Sequence, residues 1–184
     1  MTEKNENRRV RMTKRLMKDA LLDLLEEKDL ANISVTAICE TADVHRSTFY
    51  NYYTDPSGLL SEIEQDFLDK IPAPPQILDQ LNKKNLLAAT AEFFDYVKEN
   101  KKTVRILFNS SNGSNFAAQM VEHLCNGYIP VSDSPDEMTV RFTQLYIANG
   151  TVGMLREWVN EDFPLSSREI AEMMYTLSRR ISKY

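Results

Sequence analysis

Two short stretches hold the side chains with the most to offer chemically. RRVRMTKRLMK (residues 8 to 18) carries six cations and no acid, and HRSTFYNYY (45 to 53) sets four aromatic rings directly behind His45, Arg46, Ser47 and Thr48. Clustered Lys and Arg neutralise phosphate, so the first stretch has the composition of a contact with an anionic polymer. The second raises the question of whether its rings are all core or partly face a partner. Catalysis is poorly provided for. His45 and His123 are the only histidines and stand too far apart for a metal cluster, and no Ser/His/Asp arrangement or glycine-rich phosphate loop is present. Neither enzyme activity nor a bound metal or cofactor is expected. Cys39 and Cys125 lack CxxC spacing, which suggests neither a disulfide framework nor a zinc site and favours a reduced, cytoplasmic setting.

The net charge of -5 counts against nucleic-acid binding, but its distribution counts for it. Residues 1 to 53 hold nine basic and nine acidic side chains, so residues 54 to 184 carry the whole acidic excess. A small module touching an anionic polymer, with an acidic remainder behind it, fits that asymmetry. The polar N-terminus has no apolar core of a signal peptide, and nowhere do eighteen apolar residues run together, so neither secretion nor a membrane partner is expected.

The elements that must position these side chains are helical. Five glycines and seven prolines leave little turn material for a many-stranded fold, and no segment alternates like a strand. Met17, Ala20, Leu21, Leu24 and Leu25 predict an amphipathic helix over about 9 to 28. Ser34 is placed to cap a second, ending near Thr41, with Val35, Ile38 and Cys39 inward. Ala42, Asp43 and Val44 then connect to a third over about 45 to 52, the sequence form of a helix-turn-helix, whose second helix enters the major groove of DNA. At one hundred degrees per residue, Phe49 and Tyr53 share the anchoring face, Ser47, Tyr50 and Asn51 point away, and Tyr52 lies on the border. Asp55 and Pro56 predict the cap and first position of a fourth helix running to about Lys70, with Leu59, Leu60, Ile63, Phe67 and Leu68 inward.

IPAPPQ (71 to 76) breaks the helical pattern and reads as a joint. Helices are predicted beyond it at 85 to 100, 101 to 109 and 115 to 128, broken by Asn100 and by SSNGSN. Capping boxes at Ser134, Pro135 and Glu137 and at Ser166 and Glu169 place two more at about 135 to 160 and 167 to 182, with Leu165 and Ile170 suited to a hydrophobic staple. Gly150 and Gly153 sit mid-helix at a cost of roughly 1 kcal/mol each, which suggests close approach by another helix. The last two helices form an antiparallel pair in this reading. Ile170, Met173, Met174, Leu177 and Ile181 add to an apolar face that two copies would bury as a four-helix bundle. His123, Cys125, Trp158, Phe94, Phe108, Met120 and Tyr146 are candidates to line a cavity, against the plainer reading of them as core.

From Thr13 to Leu60 the pattern of threonine, apolar helix, Ser34-Val35, Ile38, Ala42, Val44, Thr48-Phe49-Tyr50, Tyr53 and Leu59-Leu60 closely resembles the N-terminal domain of tetracycline-repressor-type (TetR/AcrR) transcriptional regulators. YIANGTVGMLREWVNEDFPLSSREIAEMM (146 to 174) looks like the C-terminal segment of a Firmicutes-type subgroup that includes dihydroxyacetone kinase coactivators. The resemblance implies an all-α fold of about nine helices. A three-helix helix-turn-helix domain (1–55) would be followed by a helical effector-binding and dimerisation domain (56–184). It implies a cytoplasmic homodimer, joined through the last two helices, that represses transcription from a palindromic double-stranded DNA operator and is released by a small-molecule effector. Carried across by position, Thr36 would meet phosphate. His45 would stand at the cap, and Arg46, Ser47 and Thr48 at the groove end of the recognition helix. Tyr50 would lie on phosphate and Asn51 on base or backbone. The chain departs from the family pattern in having Asp29 and Asp43 where glycine is usual, His45 where a serine or threonine cap is usual, and Pro56-Ser57 in place of a lysine. The missing lysine implies one phosphate contact fewer, about 1 kcal/mol of affinity. A protein that keeps this fold but works by contacting a metabolic enzyme is the alternative.

Overall fold

The computed structural model describes residues 2–72, 83–108, 116–127 and 136–181, with side chains from residue 8 to residue 177 within those segments, Lys83 and Gly127 excepted. All regular structure among them is helical, and the chain divides into two compact units with a boundary after Asp69.

In the first unit, α1 (Thr2–Leu25) buries Met17, Ala20 and Leu21. It begins well before the apolar stripe does, because a polar first turn needs only helix-compatible residues and no core face. Ser34 is in the extended region, and its hydroxyl accepts the Ala37 amide at 3.1 Å, opening α2 (Val35–Thr41) as expected. α3 is a single turn and a half, Arg46–Tyr50. Asp55 accepts the Gly58 amide at 2.9 Å at the head of α4 (Pro56–Asp69), which buries Leu59, Leu60, Ile63, Phe67 and Leu68. α1 packs on α2 and α4, and α2 packs on α3. Of the IPAPPQ joint, residues 73 to 76 lie outside the described residues.

The second unit contains α5 (Lys83–Glu99), α6 (Lys101–Phe108), α7 (Phe116–Gly127), α8 (Glu137–Asn160) and α9 (Ser167–Ile181). Asn100 closes α5 through its amide to Tyr96 and Val97 and opens α6 through its carbonyl to Val104. The core is aromatic, with Phe94 against Trp158 (ring centroids 5.2 Å) and Trp158 against Phe163 (4.8 Å), both edge-to-face, and the indole N–H of Trp158 donates to the Leu165 carbonyl at 3.0 Å. The Ser166–Glu169 capping box forms reciprocally, with the Glu169 carboxylate on the Ser166 amide at 2.8 Å and the Ser166 hydroxyl on the Glu169 amide at 3.3 Å.

Three expectations change. Asp136, not Ser134, caps α8, accepting the amides of Met138 and Thr139, because an aspartate one residue before the helix has both carboxylate oxygens in reach of the free N–H groups. Ser134 and Pro135 lie outside the described residues. The closest backbone packing of α9 is with α5, and that of α8 is with α7 and α6, rather than α8 against α9 along their lengths. The short turn between them holds only their adjoining ends together. Finally, a Cβ added at Gly150 or Gly153 would meet nothing within 4 Å among the described residues, so neither glycine is required by a tight contact there.

Candidate nucleic-acid interface

The turn between α2 and α3 is built by three backbone bonds. Ala42 N–H reaches the Ile38 carbonyl, Asp43 N–H the Glu40 carbonyl at 3.4 Å and Val44 N–H the Cys39 carbonyl at 3.0 Å. The last two are the paired bonds of a Schellman motif, which requires the residue after the C-cap to be left-handed. Asp43 takes that position with φ 52°, a conformation that glycine adopts freely and aspartate more readily than most other residues. The same motif with the same residue type ends α8, where Asp162 is at φ 57° and Phe163 N–H donates to the Trp158 carbonyl at 2.8 Å.

After the turn, His45 is extended (φ -73°, ψ 145°) at the N-cap and makes no side-chain bond to the helix, so its imidazole is exposed and uncommitted to capping. The aromatic cluster then divides as its spacing predicts. Phe49 is 0 % exposed and Tyr53 6 %, Tyr52 is half-buried, and Tyr50 is 52 % exposed. Phe49 is the hub, with Tyr50 edge-on at 5.8 Å and Tyr53 tilted at 5.6 Å. Tyr50 therefore leans one edge on the core and presents the rest of its ring and its hydroxyl to solvent.

Arg46, Ser47 and Asn51 are exposed beside Tyr50, Thr48 is half-buried, and Thr36 is half-buried in the first turn of α2. The exposed set Arg46, Ser47, Tyr50 and Asn51 thus surrounds the outer surface of α3, with Ser47 and Asn51 opposite the Phe49 anchor and Arg46 and Tyr50 flanking it. It offers a guanidinium, two hydroxyls and an amide, and no carboxylate among them. Burial pushes the Cys39 thiol up, and the nearby Arg46 guanidinium opposes that rise, which places Arg46 within electrostatic reach of α2.

The basic run 8–18 is not uniformly available. Lys14 Nζ lies 3.0 Å from Glu62 of α4, and Lys18 Nζ lies 2.6 Å from Glu62 and 2.9 Å from Asp66. Burial alone would lower the Lys18 pKa and raise that of Glu62. The hydrogen bonds between them outweigh it in both, so Lys18 sits above the usual lysine range and Glu62 below the usual carboxylate range. Lys14 and Lys18 therefore serve the fold, while Arg8, Arg9, Arg11 and Arg15 remain exposed, Arg15 with an i,i+4 partner in Asp19. Sequence reasoning missed this division because the partners are 44 to 48 residues apart and leave no local pattern.

The cavity candidates of the second unit separate. Phe94, Met120 and Trp158 are buried core, and Phe108 stacks edge-to-face on Phe116 at 5.3 Å. Tyr146 is instead 63 % exposed, in line with exposed Met138 and Phe142 on α8. His123 and Cys125 are half-buried on α7. An open groove of about 390 Å³ lies between α7 and α8, lined by Ala117, Ala118, Val121, Asn149, Val152, Gly153 and Arg156. Among the described residues no group of acids, cysteines and histidines is placed to hold a metal, and no helix is long and apolar enough to cross a membrane.

Comparison with known proteins agrees with this geometry. A family model described as the C-terminal region of transcriptional regulators matches residues 84–180. The chain is similar to YxbF of Bacillus subtilis (strain 168), an uncharacterized HTH-type transcriptional regulator, with 23% identity over 168 residues that make up 88% of this chain and 43% of that protein. It is also similar to DhaS of Lactococcus lactis subsp. lactis (strain IL1403), the HTH-type dhaKLM operon transcriptional activator, with 39% identity over 61 residues, 33% of each. The chain thus spans less than half the length of these curated relatives. Among solved structures, a TetR transcriptional regulator from Streptococcus agalactiae 2603V superposes with a TM-score of 0.68 at 20% identity over 94% of this chain and 97% of that one. The dihydroxyacetone kinase operon activator DhaS superposes with a TM-score of 0.65 at 22% identity over 93% and 96%. These likenesses are of fold, and the proteins concerned are transcriptional regulators rather than enzymes.

Proposed function

The chain belongs to the TetR family of transcriptional regulators, and on that premise we propose that it is a repressor that binds a palindromic duplex operator as a homodimer and is released by a small-molecule effector. The observation that carries the reading is the division of α3. Phe49 and Tyr53 hold it from within, while Arg46, Ser47, Tyr50 and Asn51 stand exposed around its outer surface without an acid among them. A short helix held this way presents its N-terminal side chains to base edges and its tyrosine and amide to the backbone. Thr36 on α2 and Thr48 and His45 flanking the outer face complete the proposed contact set. In this reading residues 1–55 read DNA and residues 56–184 carry the effector site and the dimer contact, α4 of the latter packing with the first unit.

Dimerisation is supported by the exposed stripe of Met138, Phe142 and Tyr146 on α8, continued by the open Gly150 and Gly153, and by exposed Met173 and Leu177 on α9. Two glycines in mid-helix, each with open space at its Cβ position among the described residues, suit the close approach of a second copy. Repression then depends on spacing, since two recognition helices must match about 34 Å of B-DNA or a multiple of it. An effector that favours a mismatched spacing by about 2 to 3 kcal/mol loosens the operator roughly 30- to 150-fold.

The resemblance to an operon activator favours a second reading of the sign, activation from the same DNA site. One experiment separates these from action through protein contact alone. Arg46→Ala and Tyr50→Ala abolish operator binding and regulation under either DNA-bound reading, and leave function intact if the chain works only by touching an enzyme. A reporter behind the bound operator reads repression or activation directly.

A further inference from the structure

We propose that Lys14 is a positioning residue for the recognition helix, a cation clamped between the α4 carboxylate Glu62 and the rings of Tyr52 and Tyr53, and not a phosphate contact. The inference rests on the DNA-binding reading but concerns a residue which that reading leaves unassigned.

α3 has five residues, far too few to be stable or to hold a direction by itself. Its orientation must come from the buried Phe49 and from what its ends are fixed to. At the N-terminal end, His45 contributes no side-chain cap. At the C-terminal end the chain runs directly into Tyr52 and Tyr53, whose rings lie 6.4 Å apart, and the Lys14 ammonium sits 5.6 Å from the centre of one and 5.3 Å from the centre of the other. Both distances are within the range of a cation–π contact. The ammonium is itself fixed, because Glu62 accepts from it through both carboxylate oxygens, at 3.0 and 3.3 Å. Glu62 is held in turn by Lys18, and Lys18 by Asp66. One cation on α1 therefore ties the exit of the recognition helix to both long helices of its unit.

A solvated lysine in a basic run swings freely and meets phosphate as a point charge. This one is only about a third exposed (30%) and has its charge directed inward. The two roles leave different marks on binding. A phosphate contact releases counterions, so removing it lowers the slope of log K against log salt by about 0.9. A positioning contact lowers specific affinity at every salt concentration and leaves that slope unchanged.

The test compares the full-length chain with Lys14→Met and Lys14→Arg, measuring binding to its selected operator and to an unrelated duplex from 50 to 300 mM salt. The expected result is a roughly three- to tenfold loss for Lys14→Met on the operator alone, with an unchanged salt slope, and recovery in Lys14→Arg, whose guanidinium makes both contacts. A slope lower by about one unit, an equal loss on unrelated DNA, unchanged affinity, or no recovery with arginine overturns the proposal. Amide hydrogen exchange at residues 46 to 53 gives a readout without DNA. It accelerates in Lys14→Met and in Glu62→Gln while the exchange of buried α1 amides stays slow, and unchanged exchange there also overturns the proposal. If the wild-type chain binds no duplex, the proposed function fails and hydrogen exchange alone decides the role of Lys14. If Lys14→Met does not fold, Glu62→Gln takes its place in both measurements.

Discussion

Replacing Asp43 with glycine should stabilise the protein and tighten its grip on DNA, for two separable reasons. The turn requires a left-handed residue at 43, and the φ of 52° is set by the amide bonds of residues 43 and 44 to the end of α2. A side chain there costs roughly 1 kcal/mol, somewhat less for aspartate. Glycine removes that cost, and its extra freedom in the unfolded chain takes back about half of it, leaving a net gain of about 0.5 kcal/mol. For a chain of this length the melting temperature rises by about 1 to 2 °C. The carboxylate also faces solvent in the turn leading into the recognition helix. Its repulsion with a phosphate about 8 Å away is about 0.5 kcal/mol in water and about 0.2 kcal/mol after screening at 0.15 M salt, so two copies on one operator give about twofold in Kd. Asp43→Asn separates the two effects, since it tolerates the left-handed region and removes only the charge. Urea denaturation and operator titration at 0.15 M salt measure both. Asp43→Ala should be less stable than the parent by a few tenths of a kcal/mol, and less stable than Asp43→Gly by about 0.5 to 1 kcal/mol. If alanine proves as stable as glycine, the backbone argument is wrong, and if Asp43→Asn leaves affinity unchanged, the turn does not lie near DNA.

Other perturbations follow from the same geometry. Ser34→Ala removes the side-chain cap of α2 and should cost about 1 kcal/mol in urea denaturation; no loss would mean that the bond to Ala37 is unimportant in solution. Stability should fall at both ends of the pH range. Glu62 is held below the usual carboxylate pKa, so its contribution is present above that range and disappears as the pH falls through the lowered value. Lys18 and Tyr53 are raised, Lys18 by its carboxylate partners and Tyr53 by burial and the nearby Glu62, so their contributions are present below the ordinary pKa values and are lost as the pH rises through the raised ones. Glu62→Gln should flatten the acid limb measured by denaturation from pH 3 to 6, and an unchanged limb would refute the role given to this carboxylate. Gly153→Leu should weaken self-association in sedimentation equilibrium while leaving the monomer folded, because a Cβ at Gly153 meets nothing within 4 Å among the described residues; unchanged association would remove this face from the dimer contact.

The helical pattern was largely legible because it is local. Ser34, Asp55 and Ser166 lie within three residues of the amides they satisfy, and the division of Phe49, Tyr50 and Tyr53 follows from one hundred degrees per residue. The start of α1 was not legible, because polar residues ahead of an apolar stripe extend a helix without marking it. The α8 cap was misassigned because Ser132, Asp133, Ser134 and Asp136 crowd one start and only geometry chooses among them. What depends on partners far along the chain was hidden entirely. The tie from Lys14 to Glu62 and the packing of α9 on α5 have no signature in spacing, and the open surroundings of Gly150 and Gly153 emerge only when the neighbours are placed. Tyr146 looked like a cavity residue by type and turned out to be surface by position.

The central claim is that the outer side of α3 reads duplex DNA. Selection of bound fragments from random duplex DNA by the purified full-length chain at physiological salt tests it most directly. The account predicts enrichment of a palindrome whose half-site centres lie about one helical turn apart or a multiple of it, and loss of that enrichment with Tyr50→Ala or Arg46→Ala. Recovery of no palindrome, or of the same palindrome with either variant, would contradict it.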